Sequence, residues 1–398
     1  MKGPTPRRLK RFASRCLGLS GYLNRPGDQR VRPHLPARHL LWALIIAEVL
    51  REGAFHAIEA LVRSRARRGL GVGCRFGDDS LAYFTERLDP QRTRAALVGL
   101  ARRAKRNKAF DTHRFLGLAV DGTGACRSQK AGCVWCHPVL TPEHEVSSHG
   151  HHFSLVTLVG TALVLPLDVE PYGLGDCELG ASQRLLERVV AGLGVRFADY
   201  VVADGLYAGA PFLHAVGRLG LQVVVRLKAN LPELFTAAQA RFQSTPPTKV
   251  VEERGERIEL WDAADFDPWE SLQWTTVRVL RYRQHKPGGQ VVEAYWLTDW
   301  STGKVGTLAL YAMAKSRWQI ENEGFNEGKT RHGMERIRHH HPNSLLIGWL
   351  VVCLALSLER LYRLRHLRRG GRAPRTAIDL VRLLWLNLLA PPRRLDTG

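Results

Sequence analysis

Acidic side chains are in short supply. The 398 residues carry 37 Asp and Glu against 58 Lys and Arg, a formal net charge of +21. The surplus is spread along the chain and does not form a single tail. A broad positive field of this kind favours a polyanionic partner, and nucleic acid is the commonest one. Long apolar runs are missing too. The most apolar stretch, SLLIGWLVVCLALSL from Ser344 to Leu358, falls short of the roughly 20 residues that cross a bilayer. It predicts a buried helix, with no membrane association. Cysteine is sparse and odd in number, seven at irregular spacings, which argues against a secreted disulfide framework. A reducing compartment is expected: a prokaryotic cytoplasm, with the protein at the nucleoid, or a nucleus. The opening MKGPTPRRLKR is basic but no apolar core follows it, so no secretory signal is expected. There is no internal repeat and no long low-complexity tract.

What remains is an ordinary globular chain, long enough for about two or three domains. Residues 1–110 read as helical, as in PARHLLWALIIAEVLREGAFHAIEALVRSRARRG and the basic, amphipathic QRTRAALVGLARRAKRNK. No helix-turn-helix stands out. The texture changes near Phe110. FLGLAVDG reads as a strand ending at Asp121, followed by a Gly-rich turn. HFSLVTLVG and ALVLPLDVEPY read as two strands joined at Gly160-Thr161. DCELGASQRLLERVVAGLG follows as a helix, with Asp176 and Glu178 complementing its N-terminus. ADYVVADG is a strand ending at Asp204, APFLHAVGRLG a helix and LQVVVRLKAN a further strand. This order predicts an α/β core around a mixed sheet over 111–231. Residues 232–305 read as an all-β insertion, with KVVEERGERIELWD as one of its strands and KPGG as a hairpin turn. Residues 306–398 return to helices and end in a basic segment.

Asp121 and Asp204 each close an apolar strand, and each precedes a glycine. Ligand sites in open α/β sheets gather at the carboxyl ends of strands. One Asp-Gly pair is no more than a turn signal. Two in matched settings on a basic chain suit divalent cations, which take oxygen ligands. A third carboxylate would complete a two-metal site for phosphodiester chemistry. In KSRWQIENEGFNEGKTRHGMER, Arg317 and Glu321 share a helical face. Glu323 lies on another face. Gly324 and Gly328 each cost about 1 kcal/mol within a helix, which makes sense where a backbone or a DNA strand passes close by. Trp318 and Phe325 are expected to pack inward.

These stretches, DGTG, VVADGLYA and above all RWQIENEGFNEGK, resemble the DDE transposases of bacterial insertion sequences. The resemblance covers about residues 75–350 and is closest to the cut-and-paste group with a β-rich insertion in a ribonuclease H-like core. It implies Asp121, Asp204 and Glu321 as the catalytic, metal-binding triad with Mg²⁺ or Mn²⁺. It also implies double-stranded DNA as partner, both terminal inverted repeats and target, and a dimer acting in trans. DCELGASQRLL resembles the Asp-Cys-Glu segment of one subgroup. That group often carries a Tyr-Arg-Glu-Lys signature. Here Ala314 stands at the Tyr position, and the lysine comes one residue late, at Lys329. On an α-helix that extra step turns a side chain to roughly 80° from the expected face. Arg317, Lys329, Arg226 and Lys228 are expected to contact DNA phosphates. Trp296, with Trp300 beside it, is a candidate platform for a flipped base. A metal-dependent nuclease on the same core, and a DNA-binding protein that has lost catalysis, are the other readings.

CRSQKAGCVWCH brings Cys126, Cys133, Cys136 and His137 together, an inventory compatible with tetrahedral zinc, with His144 as a further possible ligand. The histidine runs 149–152 and 339–341 read as surface loops.

Overall fold

The computed structural model describes residues 3–110, 114–253, 255–368 and 374–389. The expected core boundary at 111 and part of the basic C-terminal segment lie outside them. Ten strands form one sheet. They are β1 (Gly117–Ser128), β2 (His137–Leu140), β3 (Val146–Val159), β4 (Leu165–Tyr172), β5 (Tyr200–Ala203), β6 (Gln222–Leu227), β7 (Lys249–Glu253), β8 (Glu256–Phe266), β9 (Val277–His285) and β10 (Val291–Thr298). Their order is β2-β3-β1-β5-β6-β10-β9-β8-β7, with β4 pairing on β3 beyond β2.

The segment β4-β3-β1-β5-β6 holds the core. Its first three strands are antiparallel, and β5 and β6 run parallel to β1. This is the ribonuclease H-like arrangement. The two central parallel strands are apolar at nearly every position, as burial on both faces demands. A helix from Glu178 to Leu193 connects β4 to β5, and one from Ala210 to Arg218 connects β5 to β6.

Three sequence expectations change. DGTG is not a turn: β1 runs through it to Ser128, paired throughout with β3, and bulges only between Gly124 and Arg127. KVVEERGERIELWD divides into β7 and β8, which pair antiparallel with each other. The insertion is not all-β, because it opens with a helix from Pro232 to Ser244, where proline at the first turn suits helix entry. Its strands also do not form a separate unit. Residues Tyr295–Thr298 of β10 pair antiparallel with β6 and extend the core sheet.

Among the described residues seven helices precede β1, the last from Pro90 to Arg106 with Asp89 as its cap. They share their core with the sheet through the helix Pro342–Arg368, which contains the apolar run seen in the sequence. By length and composition this helix passes for a membrane span, yet it is almost wholly buried between β4 and the N-terminal helices. A helix apolar on all sides belongs in such a core. Buried ion pairs fasten the same joint. Arg94 and Arg188 grip the two oxygens of Asp168 on β4, at 3.0 and 2.6 Å, and Arg51 pairs with Glu359 at 2.7 Å.

Candidate active site

The parallel ladder between β1 and β5 ends at Ala119 and Val202. Two residues further along stand Asp121, still paired with Leu155 of β3, and Asp204, just past the end of β5, so both aspartates lie beyond the carboxyl end of this parallel ladder. Glu321 reaches them from the stretch after the helix Thr307–Ser316. Two contacts hold that stretch on the sheet. Gln319 exchanges hydrogen bonds with the β3–β4 turn, donating to Thr161 O and accepting from Gly160 N–H, and Ser316 meets the Tyr200 hydroxyl at 3.0 Å.

Arg317 is the hub. Its Nη1 lies 2.7 Å from Glu321 Oε1 and 3.7 Å from Asp121 Oδ2, so the two carboxylates share one buried guanidinium nitrogen. Lys228, just past β6, donates to Asp204 Oδ2 at 2.7 Å. The other oxygen of Asp204, Oδ1, is buried and has no hydrogen-bond partner.

A fourth carboxylate enters the site. Glu178 Oε1 accepts from the Tyr207 hydroxyl at 2.7 Å and from Gly122 N–H at 3.2 Å, and that N–H is shared with Asp121 Oδ1 at 3.0 Å. The approach is so close that a Cβ on residue 122 would lie 2.2 Å from the Glu178 carboxyl carbon, so any larger residue there would push Glu178 aside. Glu178 therefore does more than complement a helix terminus. Its place in the segment resembling Asp-Cys-Glu is a sequence signal for it.

The electrostatics separate the two aspartates. The pKa of Asp121 ends raised from 3.8 to about 6: burial is the largest cause, Arg317 and the Gly122 N–H pull it down, and Glu178 and Glu321 add to the rise. For Asp204 burial also acts upward, but the Lys228 hydrogen bond, the Gly205 N–H and the charges of Lys228 and Arg317 outweigh it, and its pKa ends below the ordinary value. The basic residues thus neutralise a concentration of negative charge at one edge of the sheet.

Lys329 lies on the helix Glu327–His332, after a π-helical turn from Ile320 to Asn326. Gly324 lets this turn approach β3, where a Cβ would stand 3.1 Å from Leu155. The close neighbour is the sheet, with no DNA needed to account for this glycine. Phe325 is buried as expected, and Trp318 packs edge-on against Trp296 at 5.9 Å. Arg226 is half-buried in β6, in register with Trp296.

Trp296 cannot stack a base. It is wholly buried, because β10 continues the core sheet and turns this side chain into it, and Trp300 is buried as well. The expected zinc inventory also changes. Cys133 and Cys136 come together, but His137 turns away to Tyr172 O at 3.0 Å. Cys126 stands behind the pair, its sulfur 3.6 Å from His151 Nδ1. The histidine runs are not simple surface loops, since His151 is buried and His340 meets it at 3.2 Å.

A family model described as "Transposase DDE domain" matches residues 117–358, from the first residue of β1 to well inside the long buried helix. Among solved structures, the cryo-EM piggyBac transposase synaptic complex with hairpin DNA is similar at a TM-score of 0.47 and 11% identity, over 96% of this chain and 80% of that one. No curated protein matches the sequence significantly.

Proposed function

Because the chain belongs to the transposase DDE domain family, we propose that it cuts DNA at the ends of an insertion sequence and joins the freed strands to a target, with Asp121, Asp204 and Glu321 holding divalent magnesium or manganese. The observation that carries this reading is the meeting of Asp121 and Glu321 at Arg317, beside an Asp204 whose inner oxygen is buried and unpartnered. A set of hard carboxylate oxygens suits such ions. An orphaned buried oxygen is costly unless something binds it. When bound, the ions activate the attacking oxygen of an in-line displacement and stabilise the leaving one.

The chain's own residues supply the rest. Arg317 fixes the Glu321 carboxylate in place through a charge-assisted hydrogen bond. Glu178 and Gly122 hold the β1 backbone beside Asp121. Lys228 at Asp204 and Lys329 at the strand segment beyond Asp121 would give the scissile phosphate positive partners. At neutral pH Asp121 is mostly ionised and ready to ligate. Element ends would lie along the basic helical region, where a cleft of about 410 Å³ is lined by Arg25, Arg92, Arg103 and Arg106. Two chains acting in trans would pair the ends.

The test is strand cleavage and joining on oligonucleotides carrying the DNA that flanks the gene, with Mg²⁺ or Mn²⁺ present. Cut ends and joined products are expected from the unaltered chain, and neither from Asp204→Asn. Cutting without joining would favour a nuclease on the same core. Activity unchanged in Asp204→Asn would overturn the reading.

A further inference from the structure

Away from the carboxylates, four soft ligand atoms converge. Cys133 and Cys136 lie in the loop between β1 and β2, His151 lies on β3, and His340 lies just before the long buried helix. Their ligand atoms are all within 4.8 Å of one another. Cys133 Sγ and Cys136 Sγ are 3.7 Å apart. His151 Nε2 is 3.2 Å from Cys133 Sγ and 3.5 Å from Cys136 Sγ, and His340 Nε2 is 3.4 Å from Cys136 Sγ and 3.2 Å from His151 Nε2. A tetrahedron built on usual zinc–sulfur and zinc–nitrogen bonds has edges of about 3.8 Å between sulfurs, about 3.6 Å from sulfur to nitrogen and about 3.4 Å between nitrogens. Five observed edges lie within about 0.4 Å of that pattern. The sixth, from Cys133 Sγ to His340 Nε2, is the longest separation in the cluster, within 4.8 Å, and closes by about 1 Å when the ion is held.

We propose that Cys133, Cys136, His151 and His340 bind one structural zinc ion. The tautomer of His151 agrees. Its Nδ1 lies 3.2 Å from the carbonyl oxygen of Cys126, which can only accept, so Nδ1 carries the proton and Nε2 turns its lone pair to the cluster. An outer carbonyl that orients a ligating histidine is the usual support of a metal site. The Gly132 N–H points at Cys136 Sγ at 3.4 Å, which suits a thiolate. Gly132 is also where a Cβ would strike the His340 ring, at 2.5 Å from Nδ1. Binding releases two thiol protons, and the two thiolates balance the dication. Two sulfurs and two nitrogens in a tetrahedron favour zinc over the harder ions expected at the carboxylates. Four protein ligands leave no open position, which marks the site as structural. The ion would clamp the segment downstream of Lys329 onto the hairpin that continues from Asp121. It is independent of the transposase reading.

Metal analysis of the full-length chain, purified without chelator, is expected to give one zinc per chain. Cys136→Ser and His340→Ala should each hold at least about fivefold less, while Cys74→Ser and Asp204→Asn keep theirs. Cobalt exchanged into the unaltered chain should show the visible bands of a tetrahedral thiolate site, a readout that survives if the variants fail to fold. A chain with no bound zinc after expression in zinc-supplemented medium, no cobalt bands, or a His340→Ala protein with full zinc would each overturn the proposal.

Discussion

The ammonium of Lys329 donates to Thr123 Oγ1 at 2.8 Å and to Gly124 O at 2.7 Å, and so bridges to the strand segment just beyond Asp121. It stands eight positions after Glu321, a spacing that an α-helix would turn to another face. The π-helical turn from Ile320 to Asn326 removes the conflict. Hydrogen bonds from i to i+5 take up one more residue per turn than α-helical ones, so the eighth residue takes the angular place the seventh would hold. Such single π turns often mark functional sites. The late lysine is therefore part of the carboxylate cluster's surroundings.

Lys329→Ala should weaken binding to end-bearing DNA by about tenfold, uniformly across sequences, and flatten the slope of log affinity against log salt by about 1. Affinity measured across a salt series checks this. An unchanged slope would mean that Lys329 only braces Thr123 and Gly124.

Glu178 faces Asp121 through the shared Gly122 N–H, and its charge is one of the influences that push Asp121 up. Glu178→Gln keeps an acceptor for Tyr207 and removes the charge. Asp121 should then ionise at lower pH, and the acidic limb of the cleavage profile should move down in pH. Rates measured from pH 5 to 8 would show it; a limb that stays in place would separate Glu178 from Asp121.

The parallel strands and the aspartates that close their apolar runs were legible in the sequence because strands buried on both faces are continuous apolar stretches. Glu321 was legible because it shares a helical face with Arg317. Other features depend on partners that no local pattern shows. DGTG looks like a turn until β3 pairs along it. Trp296 looks like an exposed strand end until β6 claims its other edge. His151 and His340 meet across 189 positions of chain, a closure invisible to a motif that counts short spacings. The π turn escaped because helical-face reasoning assumes a constant 3.6-residue period.

Burial of Trp296 yields a clean division between stability and binding. Its ring fills the space between β10 and Trp318, so Trp296→Ala should cost about 3–5 kcal/mol of folding free energy. Trp296→Phe keeps most of the volume. It should lower stability modestly and leave DNA affinity within about twofold, because surface contacts away from the change are unaffected. Chemical denaturation together with a DNA-binding titration distinguishes the two effects. A large affinity loss in a well-folded Trp296→Phe protein would return this residue to the DNA interface.

Asp121 itself should limit the stability of the metal-free protein. Its pKa is raised from 3.8 to about 6, so between those values the folded chain binds the extra proton and the unfolded chain does not. Stability therefore falls as pH rises through that window, and above about 6 the whole penalty is present. At about 1.4 kcal/mol per pH unit, it amounts to at most about 3 kcal/mol, less what solvent screens at this partly exposed carboxyl. Asp121→Asn should thus raise the melting temperature of the metal-free chain at pH 7.5 and change it little at pH 4. Added magnesium should narrow the gap at pH 7.5, because binding stabilises only the chain that keeps its carboxylate. Thermal melts at the two pH values, with and without the ion, read all three effects. An Asp121→Asn protein that melts lower than the unaltered chain at pH 7.5 without metal would mean that the pairing with Arg317 outweighs the burial, contrary to the balance found here.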